Sequence, residues 1–175
     1  MKLEEINQMI EAARRKGETP DLRRLNLEKA NLSGADLSGV NLGYANLSRA
    51  TLWGTNFEKS NLTGVDLRKA DLKGASLRNA NLLGANLAKA KLAGADLLEA
   101  SLRNANLSDA DLRGASLTES SMRGAGLVVA NLHRADLEGA NLIRADLRGA
   151  QVTDEQLRQA KSLKGAVMPD GSIHP

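Results

Sequence analysis

Every fifth residue from Leu22 to Val152 is apolar, twenty-seven consecutive positions without a slip of phase. All are leucine apart from Phe57, Met122 and Val152. Two residues earlier the chain places alanine in most units, with Val40, Thr55, Ser60, Val65 and Ser120 as near-size substitutes. The residue directly before the leucine is Asn, Asp, Ser or Thr in nearly every unit, so the repeat reads A-(N/D)-L-x-x. On an α-helix five residues advance about 500°, or about 140° past a full turn, and the leucines would spread over every side. On a strand an odd period throws successive leucines to opposite faces. The recurring Gly, Asn, Asp and Ser also disfavour helix interiors. A short extended piece followed by a corner, repeated, satisfies the pattern: each unit turns the chain and points its leucine at a common axis.

The number of corners per coil can be sought in the glycines. Two residues after the leucine, glycine stands at 34, 54, 74, 94 and 114, a spacing of twenty. The row that starts at 29 instead runs Lys29, Arg49, Lys69, Lys89, Asp109 and Val129, with glycine only at 149. Glycine also recurs every ten residues from 54 to 94, but its absence at 24, 44, 104 and 144 favours twenty, or four units per coil. Glycine at a regular corner suggests a positive φ, as at the third residue of a type II turn.

The stretches ANLSGADLSGVNL, ADLKGASLRNANL and ADLEGANLIRADL resemble the tandem pentapeptide-repeat family, and the resemblance spans residues 20–152. It implies an all-β solenoid: a right-handed quadrilateral β-helix with four units per coil and short parallel ladders between coils. Twenty-seven units then make about seven coils, a rod roughly 30 Å long at strand spacing. Leucine burial cannot by itself offset the ordering of five residues per unit, so neighbouring coils have to stabilise one another.

Non-repeat sequence flanks the array, which divides into 1–19, 20–152 and 153–175. Leu3, Ile6, Ile10 and Ala13 fall on one side of an N-terminal helix expected to cap the first coil. Thr153-Asp154-Glu155-Gln156 reads as a capping box opening a short C-terminal helix. VMPDGSI at 167–173 reads as a tight turn in the tail. Capped ends predict a monomeric particle rather than a filament, a dimer being the alternative. In the predicted stack Lys91 falls between Asp71 and Asp111, which predicts an ion-pair ladder on the surface.

Composition narrows the chemistry. Aromatic residues are 2% of the chain, namely Tyr44, Trp53 and Phe57, so the interior is Leu and Ala. There is no cysteine, and His133 and His174 lie far apart, which leaves neither a thiolate site nor a histidine cluster. The aspartates recur at the polar repeat position, and their abundance follows from the repeat. No catalytic, cofactor or metal residues are assigned, and a leucine-filled bore leaves no substrate pocket. With no signal-like or membrane-length apolar stretch, a cytoplasmic protein is expected.

Net charge is +3, from 24 basic and 21 acidic residues. Its distribution matters more than its sum. Lys29, Arg49, Lys69 and Lys89, with Arg68 beside them, form a basic stripe in the predicted register. Outward apolar residues scatter: Tyr44, Leu83 and Ile143 on one side, Trp53 opposite, Val128 and Val129 with the basic row. Trp53 is the best single anchor for a partner. The expected role is a non-enzymatic scaffold for protein–protein interaction with a partner the sequence does not name. DNA mimicry on a type II topoisomerase is implied by some members of the family. Those mimics are strongly acidic, commonly favour Phe at the central position and dimerise, whereas this chain is slightly basic, almost wholly Leu at that position and capped. Weak nucleic-acid binding through the stripe is disfavoured by its lack of stacking aromatics.

Overall fold

The computed structural model describes residues 3–175. Residues twenty apart pair in parallel bridges, from Asp21 with Asn41 through to Asn131 with Gln151. These bridges form four ladders, which define four walls. The first runs through 21, 41 and 61, the second through 26, 46 and 66, the third through 31, 51 and 71, and the fourth through 36, 56 and 76. Leu72 therefore lies one layer below Leu92 in the same column, with its N–H donating to Lys91 O at 2.7 Å. The central residues from Leu22 to Leu147 are buried, as are nearly all the small residues beside them. Where the small position carries a hydroxyl, Thr55 donates to Leu32 O and Ser60 to Phe57 O, whereas Ser120 Oγ is buried without a partner.

One unit accounts for all five of its backbone donors. Asp66 N–H reaches back to Ala45 O at 3.0 Å, and Leu67 N–H forward to Asn86 O at 2.7 Å. Lys69 N–H donates to Ala88 O, and Ala70 N–H closes the corner on Leu67 O, each at 3.0 Å. The remaining donor, Arg68 N–H, is taken by the side chain of Asp66 at 3.0 Å. The same Asx turn recurs at Asn46 with Ser48, Asn81 with Leu83 and Asn131 with His133. Asn or Asp before the leucine thus satisfies a donor that no ladder reaches, since an orphaned N–H would be costly. Some of these amides also stack on one another, as Asn61 Nδ2 does on Asn41 Oδ1 at 3.0 Å.

Positive φ is not confined to the glycine corners. Fifteen non-glycine corners hold φ between 54° and 61°, including Lys29, Arg49, Lys69, Lys89 and Tyr44. The ladders impose one corner geometry on every unit, whatever residue arrives there. At a few corners glycine also leaves room for the side chain twenty residues earlier, although at Gly34, Gly54, Gly74 and Gly94 an added Cβ would meet nothing. A Cβ on Gly64 would lie 2.5 Å from the Tyr44 ring, and one on Gly139 would lie 2.5 Å from Glu119 Oε1.

Both ends are closed. Helix α1, Leu3–Arg15, buries Ile6 and Ile10 against the first coil. It ends at Gly17, φ 71°, in a Schellman arrangement: Glu18 N–H reaches Ala13 O, and Gly17 N–H reaches Arg14 O. Arg14 ties it to the fourth wall through Asp36, at 2.9 Å, and Ser38 O. Helix α2, Asp154–Arg158, opens on the Thr153–Gln156 capping box. Its Leu157, twenty residues after Leu137, is buried in the place of the next central leucine. Gln156 Nε2 seals the edge by donating to Leu132 O and Ala135 O.

The segment after α2 is more than a tail. The coil resumes one residue out of phase: Asn141 bridges Ser162 and Asp146 bridges Val167, with Leu163 and Met168 packed against the core. The chain then folds back through the expected turn, and Val167 pairs antiparallel with Ile173.

Val129 at φ 60° is the one β-branched residue among these corners. Left-handed backbone costs an L-residue about 1–2 kcal/mol, most for branched side chains, whereas Asn tolerates it. Val129→Asn is therefore expected to stabilise the fold by about 1 kcal/mol, read as a higher urea midpoint. A lower midpoint would contradict the corner geometry.

Candidate functional site

The second wall collects the predicted basic stripe. Lys29, Arg49, Lys69 and Lys89 occupy equivalent corners in four successive layers. Counting Arg68 beside them, three of the five cations lie near a carboxylate. Glu28 lies 3.6 Å from Lys29 Nζ and 3.9 Å from Arg49, and Asp66 holds Arg68 at 2.6 Å. Lys69 and Lys89 have no ion partner among the described residues. A shallow concavity of about 260 Å³ opens between Glu28, Asn46, Arg49, Arg68 and Lys69.

Trp53 stands apart, on the third wall and 54% exposed. It covers neither Gly34 nor Gly74, since a Cβ at either glycine would meet nothing within 4 Å. The six candidate residues therefore form a stripe and a separate anchor on the adjoining wall.

Arginine is handled by a recurrent device. In each of the four Asp-Leu-Arg triplets the arginine folds back on the aspartate two residues earlier. Asp111 Oδ1 accepts from Arg113 N–H and from Nε at 2.7 Å, while Oδ2 accepts from Nη2 at 2.8 Å. Asp21–Arg23, Asp66–Arg68 and Asp146–Arg148 repeat this clasp. Hydrogen bonds from Arg23 pull the Asp21 carboxyl down to about 2, and the other three aspartates are lowered by the same contacts.

The clasp also alters the expected ladder at Lys91. Lys91 bridges both Asp71 and Asp111 through the backbone, but its ammonium reaches only Asp71, at 3.8 Å. Asp111 is already held by Arg113. Asp71 Oδ1 is left buried without a hydrogen bond.

Sorting charges by wall exposes a segregation that the single stripe concealed. The first wall carries six cations, Arg23, Arg24, Arg103, Arg123, Arg144 and Lys164, against Asp21 alone. The fourth wall, which shares an edge with it, carries seven carboxylates from Asp36 to Glu138 against Lys59 and Arg78. Folding the sequence at twenty and counting every outward position would have found this; reading only one corner position per unit did not.

A concavity of about 520 Å³ sits at the C-terminal end between Leu157, Leu163, Met168 and the cations Arg158, Lys161 and Lys164. Among the described residues no group of His, Asp and Glu could hold a metal ion, and no helix is long and apolar enough to cross a membrane. His133 lies exposed on the third wall, and His174 lies in the terminal turn-back.

The family model described as Pentapeptide repeats (8 copies) matches residues 21–43, 45–84, 80–118 and 127–161. The chain belongs to this family. Among solved structures it is similar to HetL, a pentapeptide repeat protein involved in heterocyst differentiation regulation from the cyanobacterium Nostoc sp. strain PCC 7120. Identity is 32%, coverage 99% of this chain and 100% of HetL, and the TM-score 0.50. It is also similar to Rfr23 from the cyanobacterium Cyanothece 51142, at 28% identity, 79% and 94% coverage, and a TM-score of 0.47. QnrB1, a plasmid-mediated fluoroquinolone resistance protein, matches at 24% identity, 86% and 84% coverage, and a TM-score of 0.44. No curated protein matches the chain.

The clasps predict a specific acid response. Their aspartates titrate lower folded than unfolded, so the stability they contribute is present above about pH 4 and lost as pH falls through the folded values. Arg113→Met should reduce the share of Asp111 and flatten the loss of urea midpoint as pH falls below about 4. An unchanged pH profile would show that the Asp111–Arg113 contact contributes nothing to folding.

Proposed function

We propose that the chain is a non-enzymatic scaffold for protein–protein interaction. In this reading it is a right-handed, four-sided rod of about seven coils that acts as a cytoplasmic monomer. One observation supports it above others: the buried central and small residues and the Asx turns consume the repeat's recurring chemistry in holding the coil. The two outward residues of each unit are left without a shared structural task, so a rigid wall can carry any pattern a partner requires. Similarity over nearly the whole chain to HetL, a protein involved in regulation, is consistent with binding as the mode of action.

Lys29, Arg49, Arg68, Lys69 and Lys89 are the proposed contact residues on the second wall, with Trp53 as an anchor on the third. Lys69 and Lys89 carry the most weight, because their charge is uncommitted. Mimicry of DNA calls for acidic surface all round the rod, whereas here the carboxylates dominate a single wall.

Affinity capture on the immobilised wild-type chain and on the Lys69→Glu/Lys89→Glu variant tests the reading. A protein held by the first and lost from the second is the expected result. Capture of duplex DNA with steep salt dependence, or a change in gyrase supercoiling at micromolar protein, would overturn it.

A further inference from the structure

We propose that the C-terminal half of the first wall docks an acidic α-helix of a protein partner. This deepens the scaffold reading by assigning a second wall-sized surface and the chemistry of its ligand.

Arg103, Arg123, Arg144 and Lys164 occupy four successive layers of that wall, and all four are exposed. None of their side chains has an ion pair or hydrogen bond among the described residues. Their freedom has a cause in the sequence. Elsewhere Asp two residues before Arg supplies the clasp, but Arg103 and Arg123 are preceded by Ser101 and Ser121. A second route exists in the fold: Arg78, also preceded by serine, reaches Asp96 in the next layer at 2.9 Å. For Arg103 and Arg123 the corresponding next-layer residues are Ser121 and Asn141. Both intramolecular ways of neutralising an outward arginine are closed for Arg103 and Arg123, and their charge stays available.

Spacing and shape select the partner. Layers about 4.8 Å apart place the four cations over roughly 14 Å. Positions i, i+3, i+7 and i+10 of an α-helix rise about 0, 4.5, 10.5 and 15 Å along its axis, so acidic residues there meet one cation each. Arginine engages carboxylate with two parallel hydrogen bonds, which fixes register as well as charge. Beyond Arg103 the same wall continues into Leu83 and Tyr44, which is 64% exposed, so it is amphipathic along its length. A broad polyanion such as duplex DNA would also lie against the carboxylates of the adjoining fourth wall, Glu99 and Glu119 among them. A single helix, about 10–12 Å across, is the narrower ligand.

The probe is a synthetic helical 22-mer with Glu at i, i+3, i+7 and i+10 and Leu on the same face, set against a scrambled peptide of identical composition. Binding is read by fluorescence anisotropy at low salt. Wild-type protein should bind the patterned peptide, and Arg103→Ser/Arg123→Ser should weaken it about tenfold or more. Ser101→Asp/Ser121→Asp keeps both arginines but restores the clasp, and it should weaken binding comparably. Arg134→Ser, an exposed cation on the third wall, should change it less than about twofold. Urea midpoints near wild type confirm that each variant is folded. The proposal is overturned by equal binding of the scrambled peptide, by no effect of the restored clasp, or by no binding at all. Tighter binding of duplex DNA or of phosphatidylglycerol vesicles with the same arginine dependence also overturns it. Those failures leave the scaffold reading standing if the Lys69→Glu/Lys89→Glu variant still loses its captured partner.

Discussion

The hydrogen bond from each central leucine to the carbonyl one layer on is the contact on which the other features depend. It joins residues nineteen apart, as in Leu92 N–H to Asp111 O at 2.7 Å, and with its reciprocal it locks a twenty-residue layer. Once layers are fixed at strand spacing, every central side chain falls on a column and every corner takes the same backbone turn. The leucines need only be apolar and of one size, which Phe57 and Met122 come close enough to satisfy. Corners need only tolerate positive φ, and the ladders overrule the ordinary reluctance of Lys, Glu or Val to adopt it.

Much of this was legible in the chain. A five-residue period excludes helix and strand, the glycine row implies twenty per layer, and the Thr153 capping box and the 167–173 turn appear where the sequence puts them. Three features were not. Non-glycine corners carry no mark of their backbone, because their geometry is imposed from the layers above and below. The resumption of the coil at Leu163 and Met168 is hidden by a one-residue phase slip that α2 absorbs. Asn and Asp before the leucine read as a polar row stacked between coils, whereas they also cap a donor within their own unit.

The same local logic decides which surface charges remain free. An arginine two residues after an aspartate is spent on that aspartate, and one two residues after a serine depends on what the next layer offers. Counting cations along a row, as for Lys29 to Lys89, therefore overstates a stripe that Glu28 and Asp66 partly neutralise. It also overlooks the C-terminal half of the first wall, where Arg103 and Arg123 have been left without either partner. Adjacent walls of opposite sign on one rigid rod give a partner an orientation as well as an attraction, because a displaced ligand meets repulsion along the shared edge.

Cysteine pairs test the layer register most directly, since the chain has no cysteine of its own. Ser101 and Ser121 are bridged neighbours, and strand spacing of about 4.8 Å lies within the Cα range of a disulfide. Ser101→Cys/Ser121→Cys should cross-link on mild oxidation, and Ser101→Cys/Ser116→Cys, one wall apart, should not. A cross-link in the second pair with none in the first would mean three units per turn instead of four, and the stacked leucine columns and every wall assignment would be wrong.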